Sequence, residues 1–531
     1  MNCQSPYTLP GTPAEELEQF GQVVEQFRRG EIPAEQFQAL RVPRGIYEQR
    51  QPGTFMLRTR LLAGILRPEQ MRAAADAAET FGNGTLHLSS RQNLQVHGVA
   101  LQNIYPALMR LAAAGLIANG GGGNTLRNVA ACYQAGVCPE EVFDVTPSVE
   151  RATASLLADL RSFQLPRKYK IAFSGCARDC AGSTINDLGF ISHRVNGEPG
   201  FAVYVGGGMG TASRVATRLE ELIPAAQAPR VAEAVKRVFD QHGNRQNRHR
   251  ARIRFLIEDL GLEAFAKLYR QELERLDDTV PALREAPSVE VPPPVAASGP
   301  RAESFESWRR FNVSAQRQSG YFSVEIAPPL GVLPADQLRR LAGVVERYGE
   351  GLLRATNWQN VLLRWVPQQA LPALRADLVP LGLGEGQPPL LRRMVTCIGA
   401  DTCRIGICVS HSLARSIRQT LLASDLDLAG GTGQLHLHIS GCPNACGRHP
   451  VADIGLSGLL RRIDGQSVPH YAVHLGGHVE EGGTVLAAGS LVVPADKLPA
   501  WLVDFLRRFE ASTQYPDFAA FLAGGGRDAV K

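Results

Sequence analysis

Residues 53–96 read GTFMLRTRLLAGILRPEQMRAAADAAETFGNGTLHLSSRQNLQV, and residues 320–363 repeat them in altered form as GYFSVEIAPPLGVLPADQLRRLAGVVERYGEGLLRATNWQNVLL. Each copy predicts a strand, a helix opened by proline and glutamine, a glycine turn at Gly82 or Gly349, and a second strand ending in Gln-Asn. A repeat of this length is a duplicated domain, because solenoid units run to only about 20–50 residues. Alternating strands and helices make the class α+β, expected as two similar halves related by a pseudo-twofold, with cofactors in the cleft between them. The expected organisation is a helical extension over 1–50, a first repeat over 51–280, a Pro-rich linker over 281–305 centred on Pro292-Pro293-Pro294, and a second repeat over 306–531.

The duplication reaches the cysteines. Eight of the ten form two copies of one pattern, Cys132-x5-Cys138 with Cys176-x3-Cys180, and Cys397-x5-Cys403 with Cys442-x3-Cys446. The pairs are 37 residues apart in the first copy and 38 in the second. Four thiolates from two short loops are what an iron–sulfur cluster requires, one sulfur to each iron. Matching tails follow, INDLGFIS then FAVYVGGGMG, and VADIGLSG then YAVHLGGHVE.

Composition narrows the class. Apolar residues at 44% and charged residues at 20% describe a globular protein, and 531 residues exceed one core. A net charge of +5 gives no argument for nucleic acid. The run Arg245–Arg254, RQNRHRARIR, is read either as a basic face for an acidic partner or as a solvated helix face. No secretory signal and no apolar run of membrane-spanning length is found, and grouped cysteines point to a reducing compartment, so the expected location is cytoplasmic.

GIYEQRQPGTFMLRTRL, LHLSSRQNLQVHG, LRNVAAC, LPRKYKIAFSGC, TCIGADTC and SGCPNACG together resemble the sirohaem-dependent nitrite and sulfite reductases, over essentially the whole chain. The resemblance implies a ferredoxin-like half and a haem-binding half in each repeat. It implies that Cys397, Cys403, Cys442 and Cys446 hold a 4Fe–4S cluster, with Cys446 also bridging to sirohaem iron. The activity implied is six-electron reduction of sulfite to sulfide, or of nitrite to ammonia, with a separate ferredoxin or flavoprotein as electron donor.

A small oxyanion beside a carboxylate-rimmed haem needs positive charge where water is scarce. The family's motif positions carry Arg58, Arg127, Lys168 and Lys170. Alternation along a strand places Lys168 and Lys170 on one face, where desolvated ammonium groups can bind the anion and relay protons. By resemblance, Arg91, Gln95, Arg167 and Gln359 bind sirohaem carboxylates; the family often has arginine where this chain has His87. The second repeat does not copy the basic set. Arg58 aligns with Glu325, Lys168 with Gln434 and Lys170 with His436, and only Arg127 keeps its charge, as Arg392. One anion site is therefore expected, made of first-half cations and second-half cysteines.

The first quartet, Cys132, Cys138, Cys176 and Cys180, departs from simpler family members. It reads as a second 4Fe–4S site, as relict buried thiols, or as a zinc site. Cys3 and Cys408 are left over. The strings Gly120–Gly123 and Val205–Gly210 lack the strand–GxGxxG–helix context of a dinucleotide site, and VGGGMG is expected to let backbone approach the macrocycle. Lys170 favours sulfite over nitrite as substrate, since nitrite enzymes of the family often carry asparagine there. A precorrin monooxygenase of corrin biosynthesis and a non-catalytic electron carrier are the alternatives from other classes.

Overall fold

The structure, a computed structural model, describes residues 14–276 and 303–527. The proline-rich centre of the expected linker and Cys3 lie outside them. Helices Ala14–Arg28 and Ala34–Arg41 form the N-terminal extension, but the first sheet begins inside it, at Ile46–Glu48.

Among the described residues the strands form four five-stranded sheets. The first runs Ile46–Glu48, Thr54–Thr59, Leu94–Ala100, Thr85–Leu88 and then Val332–Pro334. Its counterpart runs Val313–Ala315, Tyr321–Ile326, Val361–Pro367, Leu353–Ala355 and then Ile65–Leu66. The last strand of each sheet therefore comes from the other repeat. The registers match across the pseudo-twofold: Val332 faces His87 and Leu333 faces Leu86, as Ile65 faces Arg354 and Leu66 faces Leu353. Gly64 and Gly331 make the exchange possible. Both lie in the left-handed region, at φ +74° and +73°, and a Cβ would sit 2.7 Å from the Ala355 carbonyl or 2.8 Å from Gln359 Cβ. Helices Pro68–Phe81 and Ala335–Val345 pack together over these sheets, and the first offers a face of small residues, Ala74, Ala75, Ala77 and Ala78, to a shared core.

The other two sheets carry the cysteines. In order they run Ala130–Ala131, Ile171–Ser174, Leu188–Val195, Glu198–Val205 and Thr217–Pro224, and Val395–Thr396, Leu437–Ser440, Ile454–Ile463, Gln466–Leu475 and Ala488–Pro494. The first three strands of each are parallel and the rest antiparallel. Cys132 and Cys397 follow the first strand directly, and Cys176 and Cys442 come two residues after the second. Neighbouring strands lie about 4.8 Å apart, so pairs distant in sequence leave from adjacent strand ends. The carboxyl ends of parallel strands are where open α/β sheets bind ligands.

Candidate functional site

Arg58 projects from strand Thr54–Thr59, in register with Gln95. With its amide oxygen turned toward Arg58, Gln95 accepts from Nε and Nη2 at 2.9 and 3.0 Å and donates to His87 Nδ1. Arg58 Nη1 and Arg127 Nη1 both donate to the Gly121 carbonyl at 3.1 Å, and Arg127 Nη2 donates to the Gly123 carbonyl at 2.9 Å. The glycine run is thus a carbonyl clamp for two arginines. At Gly122 a Cβ would lie 2.1 Å from the Val42 carbonyl and 2.8 Å from the Tyr47 hydroxyl.

Lys168, Tyr169 and Lys170 form an extended segment before strand Ile171–Ser174. Tyr169 is buried and donates to the Ala232 carbonyl, which leaves both lysines half-buried on the opposite side, as alternation requires. Burial, then Arg252 and Arg127, push Lys168 down to about 7, while Cys446 pulls the other way. Burial, then Arg91 and Lys168, push Lys170 well below the ordinary lysine range. Arg91 donates to Asn186 Oδ1 and the Asn128 carbonyl at 2.7 Å, and burial drives it down to about 9. Arg167 reaches Asn124 Oδ1 at 3.2 Å.

Second-half cysteines close the site. Cys446 is exposed while Cys442 is buried and Cys397 and Cys403 lie between. Ser90, beside Arg91, donates to the Cys446 carbonyl at 3.0 Å, and Ala445 packs with Ile185 and Met209 of the first half. Arg58 feels the charge of Cys446 and Cys403. Burial and then Cys446 push the Cys397 thiol up to about 12.

Two site arginines were hidden in the run Arg245–Arg254. Within that run Arg245 pairs with Asp240 and Arg250 with Asp259, Arg248 is exposed, and Arg252 and Arg254 are buried. Arg252 donates to the fully buried Asp187 at 2.8 Å, whose other oxygen accepts from the Lys170 amide at 2.9 Å. A Cβ at Gly208 would meet the Arg252 and Arg254 guanidiniums at 2.6 and 2.8 Å, so VGGGMG is small in order to pass over arginines. Tyr47 was also missed: Arg58 lies over its ring at 5.2 Å, and its hydroxyl accepts from the Gly123 amide at 3.1 Å. The GIYEQ context carried no signal that would have singled it out.

Gln359, expected at a haem carboxylate, is buried and its amide is engaged within the protein. Its Nε2 donates to the Leu88 carbonyl and meets His87 Nε2, both at 2.9 Å, and its Oε1 accepts from the Thr396 amide at 2.8 Å. Gln92, 267 residues earlier, makes the mirror set to Ala355 and Ala131. These glutamines bolt the start of each cysteine loop to the opposite half. His87, burial-driven down to about 4 and held by Gln95 and Gln359, is a neutral internal spacer.

The mirror cleft is closed. Trp358, equivalent to Arg91, stacks on His436, equivalent to Lys170, at 4.8 Å and 12°. Arg393 covers the indole at 5.5 Å, and Trp358 Nε1 donates to the Tyr133 hydroxyl at 3.2 Å. Glu325, in the place of Arg58, pairs with Arg392 and Arg393 at 2.9 Å. A cavity of about 10 Å³ lies beside Trp358 and Arg392. In the first quartet, the Cys180 thiol lies within hydrogen-bonding reach of Cys132 and Cys176.

The basic cluster facing Cys446 fits a polyanionic macrocycle. Among the described residues, Arg91 Nε, Arg127 Nε, and Arg254 Nε and Nη1 are buried donors without a protein acceptor. That donor set, beside an exposed cluster-type cysteine, suits a tetrapyrrole rimmed with carboxylates.

Comparison with known proteins agrees. Residues 122–276 match the nitrite and sulphite reductase 4Fe-4S domain, and residues 47–114 and 314–381 match the nitrite/sulfite reductase ferredoxin-like half domain. The chain is 33% identical to a ferredoxin–nitrite reductase of Synechococcus elongatus, across 81% of each protein. It is 31% identical to a sulfite reductase [ferredoxin] of Mycobacterium tuberculosis, across 80% of this chain and 74% of the relative. The structure of the Mycobacterium tuberculosis NirA protein superposes with a TM-score of 0.80 at 27% identity, covering 98% of each chain. Among the described residues, no helix is long and apolar enough to cross a membrane. Duplicated half domains, cysteine loops and a basic cleft all coincide with these matches, and the chain belongs to the nitrite and sulfite reductase family.

Proposed function

We propose that the chain reduces sulfite to sulfide at a sirohaem coupled through Cys446 to a 4Fe–4S cluster on Cys397, Cys403, Cys442 and Cys446. The observation that carries this reading is the convergence of first-half cations on the exposed second-half Cys446. When bound, the sirohaem and cluster would pass to the anion, one at a time, the six electrons drawn from the separate donor. Arg58, Arg127, Lys168 and Lys170 hold the anion, and the lysines deliver protons as its oxygens leave as water. Arg91 and Arg167, joined by Arg252 and Arg254, hold the macrocycle's carboxylates. Relatives named as ferredoxin enzymes support a separate ferredoxin as donor.

Lys170 favours sulfite, a dianion when deprotonated, over singly charged nitrite. Lys170→Asn is expected to lower sulfite turnover more than nitrite turnover, by roughly 1.5–3 kcal/mol, the range for a hydrogen bond to a charged group. Steady-state kinetics on both anions with a viologen donor measures it. Equal losses, or a wild type far better on nitrite, would establish nitrite as the substrate, the second reading supported by the 33% identical nitrite reductase.

We read the first quartet as a second 4Fe–4S site, supported by four cysteines gathered at the same strand ends as the C-terminal set. The closed mirror cleft makes it a cluster without its own macrocycle. Iron analysis of anaerobically prepared protein is expected to give about nine irons per chain, against about five for one cluster plus sirohaem.

A further inference from the structure

Among the described residues the Lys170 ammonium has neither a hydrogen bond nor an ion pair, although a carboxylate anchors its own backbone. The charged groups facing it are Arg91, Lys168, Arg252 and Asp187. Asp187 is fully buried, and in a water-poor interior an ammonium is drawn strongly to such a carboxylate. A free lysine beside it needs a physical reason.

Arg252 supplies one. Asp187 Oδ1 accepts from Arg252 Nε at 2.8 Å and lies 2.7 Å from Nη2, while Oδ2 accepts from the Lys170 amide at 2.9 Å. Arg252 is fixed in turn at the start of helix Ile253–Leu260, where its carbonyl accepts from the Phe255 amide at 2.9 Å. The mirror repeat shows the same aspartate without an arginine. Asp453, equivalent to Asp187, keeps the backbone bonds: Oδ2 accepts from the His436 amide at 2.8 Å, and its carbonyl accepts from Gly476 at 2.9 Å as that of Asp187 accepts from Gly206 at 3.0 Å. Its ion-pair partner is His436 itself, the equivalent of Lys170, whose ring folds back to put Nδ1 3.1 Å from Oδ2.

We propose that Arg252 is a positioning residue that occupies Asp187, so that the Lys170 ammonium stays free to face the anion in the cleft. The inference rests on the proposed role of Lys170. Without Arg252, Lys170 turns back onto Asp187 as His436 does onto Asp453, is lost to the anion, and holds its proton more tightly. Without Asp187, Lys170 is left among Arg91, Lys168 and Arg252 and holds its proton less tightly. The two single substitutions therefore move Lys170 in opposite directions. An ion pair that served stability alone would give the same kind of loss from either side.

The test uses the holoenzyme as wild type, Arg252→Gln, Asp187→Asn and the double variant. Labelling of Lys170 with a small amine-reactive reagent at neutral pH, read by mass spectrometry, reports its free amine without turnover. Arg252→Gln is expected to slow labelling about tenfold or more, since each unit of pKa changes the free amine tenfold. Asp187→Asn should label at least as fast as wild type, and the double variant should return to within about threefold of it, the non-additivity expected of a coupled pair. Viologen-driven kcat/KM for sulfite should fall about tenfold in Arg252→Gln and recover in the double variant. Tetrapyrrole and iron content read macrocycle and cluster binding separately in each variant. Equal slowing of labelling in both single variants overturns the inference, as do unchanged labelling in Arg252→Gln, a double variant that stays slow, and a wild-type Lys170 that resists the reagent. Absence of sulfite and nitrite turnover in the wild type would count against the proposed reaction, and the labelling comparison would still decide the role of Arg252.

Discussion

Lys168→Met is expected to lower viologen-driven reduction of both anions by about 10²–10⁴-fold, the usual contribution of a placed proton donor and charge in a water-poor site. Lys168 is singled out because burial and its arginine neighbours bring its proton within reach of neutral pH. Lys168→Arg separates the two roles. An arginine keeps the charge but does not release its proton in this range, so KM should stay near wild type while kcat falls almost as far as in Lys168→Met. Full turnover in Lys168→Arg would show that Lys168 only binds.

Glu325→Gln is expected to cost about 3–5 kcal/mol, because it leaves the buried Arg392 and the part-buried Arg393 without their shared partner. Although burial opposes the charged form, Arg393 and Arg392 hold the Glu325 carboxyl down to about 2 against an ordinary 4.5. A depressed carboxyl stabilises fully above the unfolded value and loses that contribution as pH falls. The gap between wild type and Glu325→Gln should therefore be constant above about pH 5 and close between pH 4.5 and 2. Urea midpoints at several pH values measure it. A gap that persists at pH 2 would mean that the ion pair is not what the substitution removes.

The duplication, the two quartets and the cations of the first half were legible because each is a local pattern. Cys132 and Cys176 come together because parallel strands bring distant loops side by side, and spacing alone anticipates that. The strand exchange was not legible: Ile65–Leu66 and Val332–Pro334 are two and three residues long, too short for periodicity to show where they pair. The partners of Gln359 were not legible because the family resemblance gives a residue type without its hydrogen-bond partners, and both ends of this amide are taken by backbone from the two halves. Arg252 and Arg254 sat in a charge run that resembles a solvated surface. Only the buried Asp187 and the bare glycines above them distinguish arginines aimed inward from arginines facing water.

The proposed chemistry is asymmetric: two halves built alike, with one reactive site. Cys446 and Cys180 occupy the same place in the two repeats, one exposed in the open cleft and the other beside the Trp358 plug. Viologen-driven turnover of Cys446→Ser and Cys180→Ser tests it most directly. Cys446→Ser is expected to abolish reduction of both sulfite and nitrite, while Cys180→Ser keeps viologen-driven turnover even if it loses iron. Turnover in Cys446→Ser, or its loss in Cys180→Ser alone, would place the reaction in the other cleft and contradict the account.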